Sequence, residues 1–293
     1  METARCRAFL AAAETGSFSR AAEMLRYTPS GVNQLVTALE KEIGFSLFSR
    51  STKGVALTAN GQLLLPVIRE ILHQEDKLFE LSAQMNGLLI GTVTIAAYSS
   101  IATHWLPAVI RDFQENYPHV EIKLMEGIWQ EVSQWLEERT ADIGFLSYQE
   151  NMPFEWIPLA EDPMLALLPR NHPLAGAASY PLKRCEQDSF IMPALGCDDD
   201  VEALFARNHV EPNIRYTTIE NFSAMSMVEQ GLGMSIMNQL ITEKRICDIA
   251  MLPLDPPSYC TLGVAMNSKA DVSPAVKMFL KYAVRLLTRI ENA

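Results

Sequence analysis

Apolar residues recur at helical spacing three times within the first 45 residues, which predicts three short helices. The apolar positions are, in order, Cys6, Phe9, Leu10 and Ala13, then Phe18, Ala21, Ala22 and Leu25, then Val32, Leu35, Val36, Leu39 and Ile43. The third helix has the clearest ends. Thr28 can cap its first turn, and Pro29 suits its first position, where no N–H hydrogen bond is lost. Gly44 is a natural stop after its last turn.

The outward side of the third helix is polar and has no acid before Glu40. Its residues are Ser30, Gly31, Asn33, Gln34, Thr37 and Lys41. A helix that only faced solvent would more often mix Glu with Lys, whereas a smooth polar surface at a helix start fits the major groove of DNA. The second and third helices therefore predict a helix-turn-helix that binds double-stranded DNA. Three small helices that contact another protein are the alternative interpretation.

A basic turn between two predicted short strands follows in residues 47–58, an arrangement typical of a wing. We predict that Arg50 and Lys53, in this turn, contact phosphate groups or the minor groove. The chain as a whole carries a net charge of −11, which usually disfavours nucleic acid. Residues 1–60, however, hold seven Lys or Arg residues against five acids, a net charge of +2. DNA contact is therefore expected from this small basic part alone.

Particular residue types also keep a fixed spacing across residues 9–61. The positions are Phe9, Ala13, Gly16, Ser17, Phe18, Ser19, Ala21, Ala22, Leu25, Val32, Leu39, Glu40, Gly44, Leu47, Phe48, Arg50, Leu57, Thr58 and Gly61. This pattern resembles the N-terminal signature of LysR-type transcriptional regulators. In that family a Gln that helps to read bases often stands where this chain has Pro29. We therefore assign DNA contact to the residues around it, namely Thr28, Ser30, Asn33, Gln34 and Thr37.

From Ala59 to about Met85, apolar residues recur every seven positions in two adjacent columns. The columns are Leu64, Ile71, Leu78 and Met85, and Leu65, Leu72 and Phe79. Two adjacent heptad columns predict a long helix that pairs with another helix. An amphipathic helix packed on its own domain is the alternative. The resemblance implies that this is a dimerisation helix, in a homodimer or homotetramer.

Past Gly91, predicted strands and helices alternate, which indicates an α/β architecture with a parallel sheet. Predicted strands lie over 92–97, 120–125, 142–147, 164–168, 190–192, 214–218, 234–237 and 262–266. Predicted helices lie over 101–117, 129–139, 201–208, 221–230 and 274–290. The resemblance implies that this part is an effector domain of two α/β lobes around a cleft, like a periplasmic binding protein. The expected fold class is thus α/β with an N-terminal all-α winged helix-turn-helix and a long linker helix.

Ligands of open α/β sheets bind beyond the carboxyl ends of the strands. The residues predicted at these ends, or at a helix start beside them, are Ser99, Ser100, Gly127, Ile128, Ser147, Pro193 and Asn221. Ser99, Ser100 and Asn221 open predicted helices, where free N–H groups favour an anion. We therefore expect these residues to bind a small-molecule effector with a carboxylate group. Simple helix caps are the alternative interpretation of the three.

Three domains are expected along the chain. Residues 1–58 form the DNA-binding domain, 59–90 the linker helix and hinge, and 91–293 the effector-binding domain. Within the last, lobe 1 is expected over about 91–163 and 267–293, and lobe 2 over about 164–266. No apolar run reaches the roughly 18–20 residues of a membrane span, and a signal-peptide core is missing. A cytoplasmic protein without a membrane partner is therefore expected.

The sequence has no catalytic or phosphate-loop motif, so neither an enzyme nor a cofactor is expected. Cys197, the three acids that follow it and His209 lack the spacing of a metal site and instead suggest the acidic first turn of a helix. Two alternatives stay open. One is a regulator of the same family that senses redox state through Cys185 or Cys197. The other is a metabolite-binding protein whose N-terminal module contacts protein.

Overall fold

The structure, a computed structural model, describes residues 2–51, 54–193 and 199–290, without the side chains of Arg50, Ser51, Arg289 and Ile290. The chain divides into two compact units. The N-terminal unit holds the residues up to Gly91, together with Glu137–Thr140 and Val272–Ala275. The remaining residues form the C-terminal unit.

Helices and one two-stranded ribbon form the N-terminal unit. Its elements are α1 (Thr3–Thr15), α2 (Phe18–Leu25), α3 (Pro29–Ile43), β1 (Phe48–Ser51), β2 (Gly54–Leu57) and α4 (Ala59–Met85). The three helices predicted before residue 45 are confirmed, and β1 pairs antiparallel with β2 where the wing was predicted. The apolar sides of these elements meet in one core, the N-terminal core, which contains Phe9, Ala21, Val36 and Phe48.

Local hydrogen bonds fix both ends of α3. The Gly31 N–H donates to the Thr28 hydroxyl oxygen at 3.1 Å, and Pro29 lies in the first turn. At the other end, Gly44 adopts a left-handed φ of 96°, and its N–H donates to the Glu40 carbonyl oxygen at 2.8 Å. The predicted cap and stop of the third helix are therefore confirmed.

One side of α4 packs on the N-terminal core, which corrects the predicted heptad columns. Ile68 and Leu72 are buried in this core, and Leu64 and Leu65 are partly buried against it. A domain of about sixty residues has little apolar surface to bury, so this half of α4 helps to close its core. The columns that assigned Leu64, Leu65 and Leu72 to a partner helix are wrong. Leu78, Phe79 and Met85 of the predicted columns are exposed. Leu78 and Met85 form an exposed stripe with Leu63, Val67 and Leu81 on another side of α4.

The C-terminal unit alternates strands and helices. Its first elements are β3 (Gly91–Ala97), α5 (Ser99–His104), α6 (Leu106–Asn116), β4 (Val120–Glu126), α7 (Trp129–Glu137) and β5 (Ile143–Ser147). Next come β6 (Glu155–Pro169), β7 (Tyr180–Pro181), a 3₁₀ turn (Leu182–Glu186), β8 (Phe190–Met192), α8 (Asp199–Asn208), β9 (Ile214–Thr217) and α9 (Asn221–Glu229). The last are β10 (Ser235–Asn238), α10 (Gln239–Thr242), β11 (Ile249–Asp255), β12 (Tyr259–Met266) and α11 (Pro274–Ile290).

Strand β6 runs through two lobes of this unit. Its first half pairs antiparallel with β12, and its second half pairs antiparallel with β10 and β11. The strand order is β4-β3-β5-β12-β6-β11-β7, with β10 also paired to β6. Strands β8 and β9 form a separate parallel pair. Lobe 1 is built on β3, β4, β5, β12 and the first half of β6, and lobe 2 on the second half of β6 and β7 to β11. Residues 259–266 were expected in lobe 2, but as β12 they pair with β5 and with the first half of β6.

The prediction of a parallel sheet is wrong for much of the C-terminal unit. β3 and β5 are parallel, whereas β12 runs antiparallel to both β5 and β6. β5 and β6 run in the same direction, and β12 lies between them in the opposite direction. β11 and β12 follow one another along β6, joined by residues 256–258. The predicted helix over 101–117 is also divided at Trp105 into α5 and α6.

Asp162 is a buried carboxylate in the middle of β6. It accepts the Leu240 N–H with both oxygens, at 3.1 and 3.4 Å, and so holds the first turn of α10. Burial raises the pKa of Asp162 to about 6, although the backbone hydrogen bonds of α10 oppose this shift. The folded protein therefore binds a proton here at a pH where the unfolded chain has released it.

Replacing Asp162 by Asn should change how stability depends on pH. Because the folded pKa is raised, ionising Asp162 destabilises the fold as pH rises from about 4 to about 6, by up to roughly 3 kcal/mol above that range. The amide oxygen of an asparagine at this position would accept the same N–H without ionising. The melting temperature of Asp162→Asn should therefore gain on the wild type between pH 4 and pH 7. Glu155→Gln changes an exposed residue on the same strand, and its melting temperature should not gain on the wild type over this pH range. An equal pH response in both variants would contradict the prediction.

Candidate functional site

The outward side of α3 brings the predicted DNA-contacting residues together. Thr28, Ser30, Gln34 and Thr37 are exposed along this side, starting at the N-cap. Asn33 is half-buried, and its Oδ1 is buried without a hydrogen-bond partner among the described residues. The opposite side of the helix is occupied by packing, since Val32, Val36 and Leu39 are fully buried. The polar side is therefore the one that faces outward.

The first acid of α3 has a structural role. The Glu40 carboxylate accepts the backbone N–H groups of Leu47 and Phe48, at 2.7 and 3.1 Å. These residues lead into β1. A charged acceptor for two N–H groups is a strong local tie, so Glu40 fixes the start of the wing next to α3.

The wing is also tied to the end of α1. The Val55 N–H donates to the Gly16 carbonyl oxygen at 3.1 Å. Gly54 lies beside this contact with a φ of 129°, and a Cβ at this position would approach the Gly16 oxygen to 2.6 Å. Only glycine fits there. Arg50 lies in β1, but its side chain and the whole of Lys53 lie outside the described residues, so their DNA contacts stay predictions.

A cavity of about 510 Å³ opens in the C-terminal unit, with residues from both lobes around it. From lobe 1, at the start of α5 and the turn from β4 to α7, come Tyr98, Ser99, Ser100, Gly127, Ile128 and Trp129. From lobe 2, at the starts of α8 and α9 and the end of β10, come Asp199, Asp200, Glu220, Asn221, Phe222 and Asn238. The size is typical of a small-molecule site.

Five of the seven predicted effector residues line this cavity. They are Ser99, Ser100, Gly127, Ile128 and Asn221. Ser147 and Pro193 are not among the lining residues; both are buried. The Ser147 hydroxyl lies 2.9 Å from the Tyr98 hydroxyl, which does line the cavity, so Ser147 helps to orient a lining side chain.

Two hydrogen bonds donated by backbone N–H groups hold the turn from β4 to α7. The Gly127 N–H donates to the Ala97 carbonyl oxygen at 3.1 Å, and the Ile128 N–H donates to the Glu131 carboxylate at 3.0 Å. A Cβ on Gly127 would come within 2.8 Å of the Trp135 ring. Glycine is therefore needed for the backbone to pass between the cavity and α7.

Acidic side chains dominate the charge around the cavity, a feature that was not predicted from the sequence. The carboxylates are Glu126, Glu131, Asp199, Asp200 and Glu220. His104 is the one basic side chain among the described lining residues, which include neither Lys nor Arg. Burial, together with the nearby Glu202 carboxylate, raises the pKa of Asp199. The sequence did contain a sign of this acidic lining, because Glu126 directly precedes Gly127 and Glu220 directly precedes Asn221.

Three lining residues have buried polar atoms without a hydrogen-bond partner in the described part of the chain. The atoms are His104 Nδ1, Trp129 Nε1 and Asn221 Oδ1. Buried polar atoms in folded proteins nearly always have a partner. Each of these atoms is closed off from the open space of the cavity, so a ligand would reach it only if the side chain turned.

The cysteines give little sign of redox chemistry. Cys185 is fully buried, and burial raises the pKa of its thiol to about 12. The thiolate is the form that reacts with oxidants, and burial both disfavours this form and limits access to the sulfur. Cys197 lies outside the described residues. Across the described ranges, no cluster of three His, Cys, Asp or Glu side chains could hold a metal ion, and no helix is long and apolar enough to cross a membrane.

Two family models match most of the chain. The model described as "LysR substrate binding domain" matches residues 86–288, and the one described as "Bacterial regulatory helix-turn-helix protein, lysR family" matches residues 4–62. Among curated relatives, the uncharacterized HTH-type transcriptional regulator YvbU of Bacillus subtilis is 30% identical over 98% of this chain and 99% of its own. The probable HTH-type transcriptional regulator LrrA of Synechococcus elongatus is 31% identical over 96% and 95%.

Solved structures show the same fold. A full-length OxyR variant from Pseudomonas aeruginosa matches with a TM-score of 0.77 at 22% identity, over 98% of this chain and 96% of that one. The effector-binding domain of QuiR in complex with shikimate matches with a TM-score of 0.62 at 22% identity, over 68% and 98%. Full-length CbnR complexed with its target DNA matches with a TM-score of 0.54 at 22% identity, over 97% and 99%.

The burial of Cys185 can be checked by alkylation of the folded protein. Iodoacetamide at neutral pH should leave Cys185 unmodified and should label the half-buried Cys247 before it, because Cys247 has the more accessible thiol of the two. Peptide mass spectrometry would measure both, and unfolding in guanidinium should expose both to the reagent. Labelling or peroxide oxidation of Cys185 as fast as that of Cys247 would contradict the prediction and would favour the redox alternative.

Proposed function

Because the chain belongs to the LysR family of transcriptional regulators, we propose that α3 reads the bases of an operator while the cavity binds a small effector with a carboxylate group. The exposed polar side of α3, which starts at Thr28, is the observation that carries the DNA part of this proposal. A regulator that acts on chromosomal DNA works in the cytoplasm, where we place it.

Recognition would follow the chemistry of the α3 surface. Gln34 can form two hydrogen bonds with the edge of an adenine, and the Ser30 hydroxyl can donate to or accept from several bases. Asn33, whose Oδ1 is buried, has only its amide N–H groups for a base. The N-terminal end of a recognition helix is the part that reaches base edges in a helix-turn-helix. Arg50 and Lys53 would hold the neighbouring phosphates, which position the protein without reading sequence. The structure of CbnR with its target DNA supports such a use of this fold.

Gln34→Ala should weaken operator binding without unfolding the protein. Loss of a base contact is worth about 1–3 kcal/mol, or roughly 5- to 150-fold in Kd. The measurement is fluorescence anisotropy, at one fixed salt concentration, on duplex DNA from the region upstream of the protein's own gene. Gln114→Ala, a matched change of an exposed helical glutamine in the C-terminal unit, should leave Kd unchanged.

Two results would count against this function. Equal Kd values for Gln34→Ala and Gln114→Ala would remove α3 from base recognition. No binding of any upstream DNA at low salt, by protein that circular dichroism shows to be folded, would favour the metabolite-binding protein whose N-terminal module contacts protein.

The exposed stripe of α4 supports a homodimer or homotetramer. Leu78 and Met85 are 65% and 87% exposed in the single chain. Leu63, Val67 and Leu81 lie along the same side of the helix, since their spacing follows the helical period. Apolar stripes of this length usually mark a contact between proteins. We therefore propose that α4 pairs with α4 of a second copy, which would place two α3 helices on two half-sites.

Leu78→Glu should shift the assembly towards smaller species. A carboxylate buried without a partner in the contact would raise the dimer dissociation constant roughly tenfold or more. Sedimentation velocity over a range of protein concentrations would measure this change. Gln62→Glu places the same charge on the opposite side of α4 and should leave the assembly unchanged. Unaltered assembly in Leu78→Glu would place the contact elsewhere.

The effector part of the proposal depends on hydroxyl groups at the cavity. Ser99 and Ser100 line it at the start of α5, and Asn221 lines it at the start of α9. Hydroxyl groups and free N–H groups at helix starts favour a carboxylate. The QuiR effector domain, which has this fold, was solved with shikimate. A ligand between the lobes would favour one arrangement of them over another, and so alter DNA binding.

A further inference from the structure

We infer that Asp162 is a positioning residue of the cavity: through α10 its carboxylate holds Asn238 and Ile241 in the cavity wall, and protonation of this group loosens that wall. The inference concerns the shape of the cavity in the free protein. Its consequence for ligand affinity rests on the proposed use of the cavity as the effector site.

Asp162 lies where β6 passes from one lobe to the other. β6 pairs with β12 as far as Pro163 and with β10 from Met164 onwards. The Asp162 side chain is buried, and both of its oxygens accept from the start of α10. It is therefore an acidic group inside the junction of the two lobes.

The α10 residues that Asp162 holds lie between two lining residues of the cavity. The carboxylate accepts the Leu240 N–H, and the Gln239 N–H donates to it as well. Asn238 directly precedes this pair and Ile241 directly follows it, and both line the cavity. A shift of the two anchored residues would therefore move a stretch of the cavity wall.

Helix α10 also contacts the other lobe. It follows β10 in lobe 2, and it packs against α5 of lobe 1. Helix α5 begins with Ser99 and Ser100, which line the cavity from lobe 1. The position of α10 thus affects both sides of the cavity.

The ionised form of Asp162 is the form that holds α10 more tightly. A carboxylate accepts with both oxygens, and hydrogen bonds to a charged acceptor are roughly twice as strong as neutral ones. Protonation turns one of these oxygens into a hydroxyl donor, so the N–H groups of α10 lose part of their acceptor. Because the pKa of Asp162 is about 6, this change takes place between about pH 5 and pH 7.

Few titratable groups face Asp162 from the elements around it. Glu243, just after α10, adds to burial in raising the pKa of Asp162, and α10 itself has no charged residue. On β12 the directly opposite residue is Cys260, whose sulfur accepts from the side-chain amide of Asn238, the last residue of β10. Helix α5 contributes His104, and histidine is another side chain that titrates in this pH range.

Hydrogen exchange of α10 tests this hold without a ligand. In the wild type, amide protection over Gln239–Thr242, corrected for the intrinsic rate at each pH, should fall roughly fourfold from pH 7.5 to pH 5.5. Asp162→Asn keeps an acceptor that does not ionise, so its protection should not change with pH. Glu161→Gln removes the exposed neighbouring carboxylate of β6 and should behave as the wild type. An equal pH response in the wild type and Asp162→Asn would overturn the inference.

Calorimetry of the full-length protein measures the consequence for binding, with shikimate, benzoate and lactate as probes. The Kd of a probe that binds should rise roughly fourfold as pH falls from 7.5 to 5.5, because protonated Asp162 must first lose its proton. In Asp162→Asn this pH dependence should be absent, whereas titration of the probe itself would appear in both proteins. His104→Gln and Asp199→Asn change other titratable lining residues and should keep the pH dependence.

The failures of this inference and of the effector proposal differ. If Kd depends equally on pH in the wild type and in Asp162→Asn, Asp162 does not position the cavity wall for binding and the inference is wrong. If no probe binds at any pH while α10 protection follows Asp162, the positioning role is supported and the carboxylate effector loses its support. The melting temperature of each variant checks that it is folded.

Discussion

The apolar core of the N-terminal unit cannot be completed by α1, α2 and α3 alone, and this constraint determines how the rest of that unit is arranged. Ile68 and Leu72 of α4 complete the apolar cluster that α1, α2 and α3 begin. Because the apolar side of α3 is fixed in this cluster, its polar side has one possible direction, outward. The same helix that completes the core continues beyond it with an exposed apolar stripe. α4 thus completes the DNA-binding part with one side and exposes the apolar stripe on another.

The C-terminal unit depends in a similar way on one long strand. β6 contributes its first half to lobe 1 and its second half to lobe 2, so the lobes share a continuous backbone. Asp162 lies close to the change of partners and holds α10, whose neighbour Asn238 lines the cavity. A change in the separation of the lobes must therefore bend β6 or its loops, because the hydrogen bonds on either side hold each half rigid.

The features that could be predicted from the sequence were those set by nearby residues. The ends of α3 depend on Thr28, Pro29 and Gly44, each acting within four residues, and they were predicted correctly. The helix starts at Ser99 and Asn221 were found in the same way. The antiparallel course of β12 was not, because pairing over such a distance leaves no local pattern. The side of α4 that packs inward depends on the shape of a core assembled from four helices, which periodicity alone does not reveal.

The acidic character of the cavity is another feature that depends on distant residues and could not be predicted from the sequence. Glu126, Asp199 and Glu220 are far apart in the chain and are ordinary surface acids when taken one by one. Only the fold brings them to one place, where each carboxylate makes the charged form of the others less favourable. Reasoning from strand ends led to five residues that line this cavity, whereas the charge of the cavity could be seen only in the three-dimensional arrangement.

The double hydrogen bond from the backbone of Leu47 and Phe48 to Glu40 has a consequence for how this protein can change its target. It ties the start of the wing to α3, so in the proposed DNA complex the two could not shift along the duplex independently. Each DNA-binding unit would then cover a stretch of fixed length. In that complex a new operator could be acquired by exchanging residues on the surface of α3, whereas a longer or shorter footprint would require the loss of these hydrogen bonds and a different loop from Gly44 to Ser46.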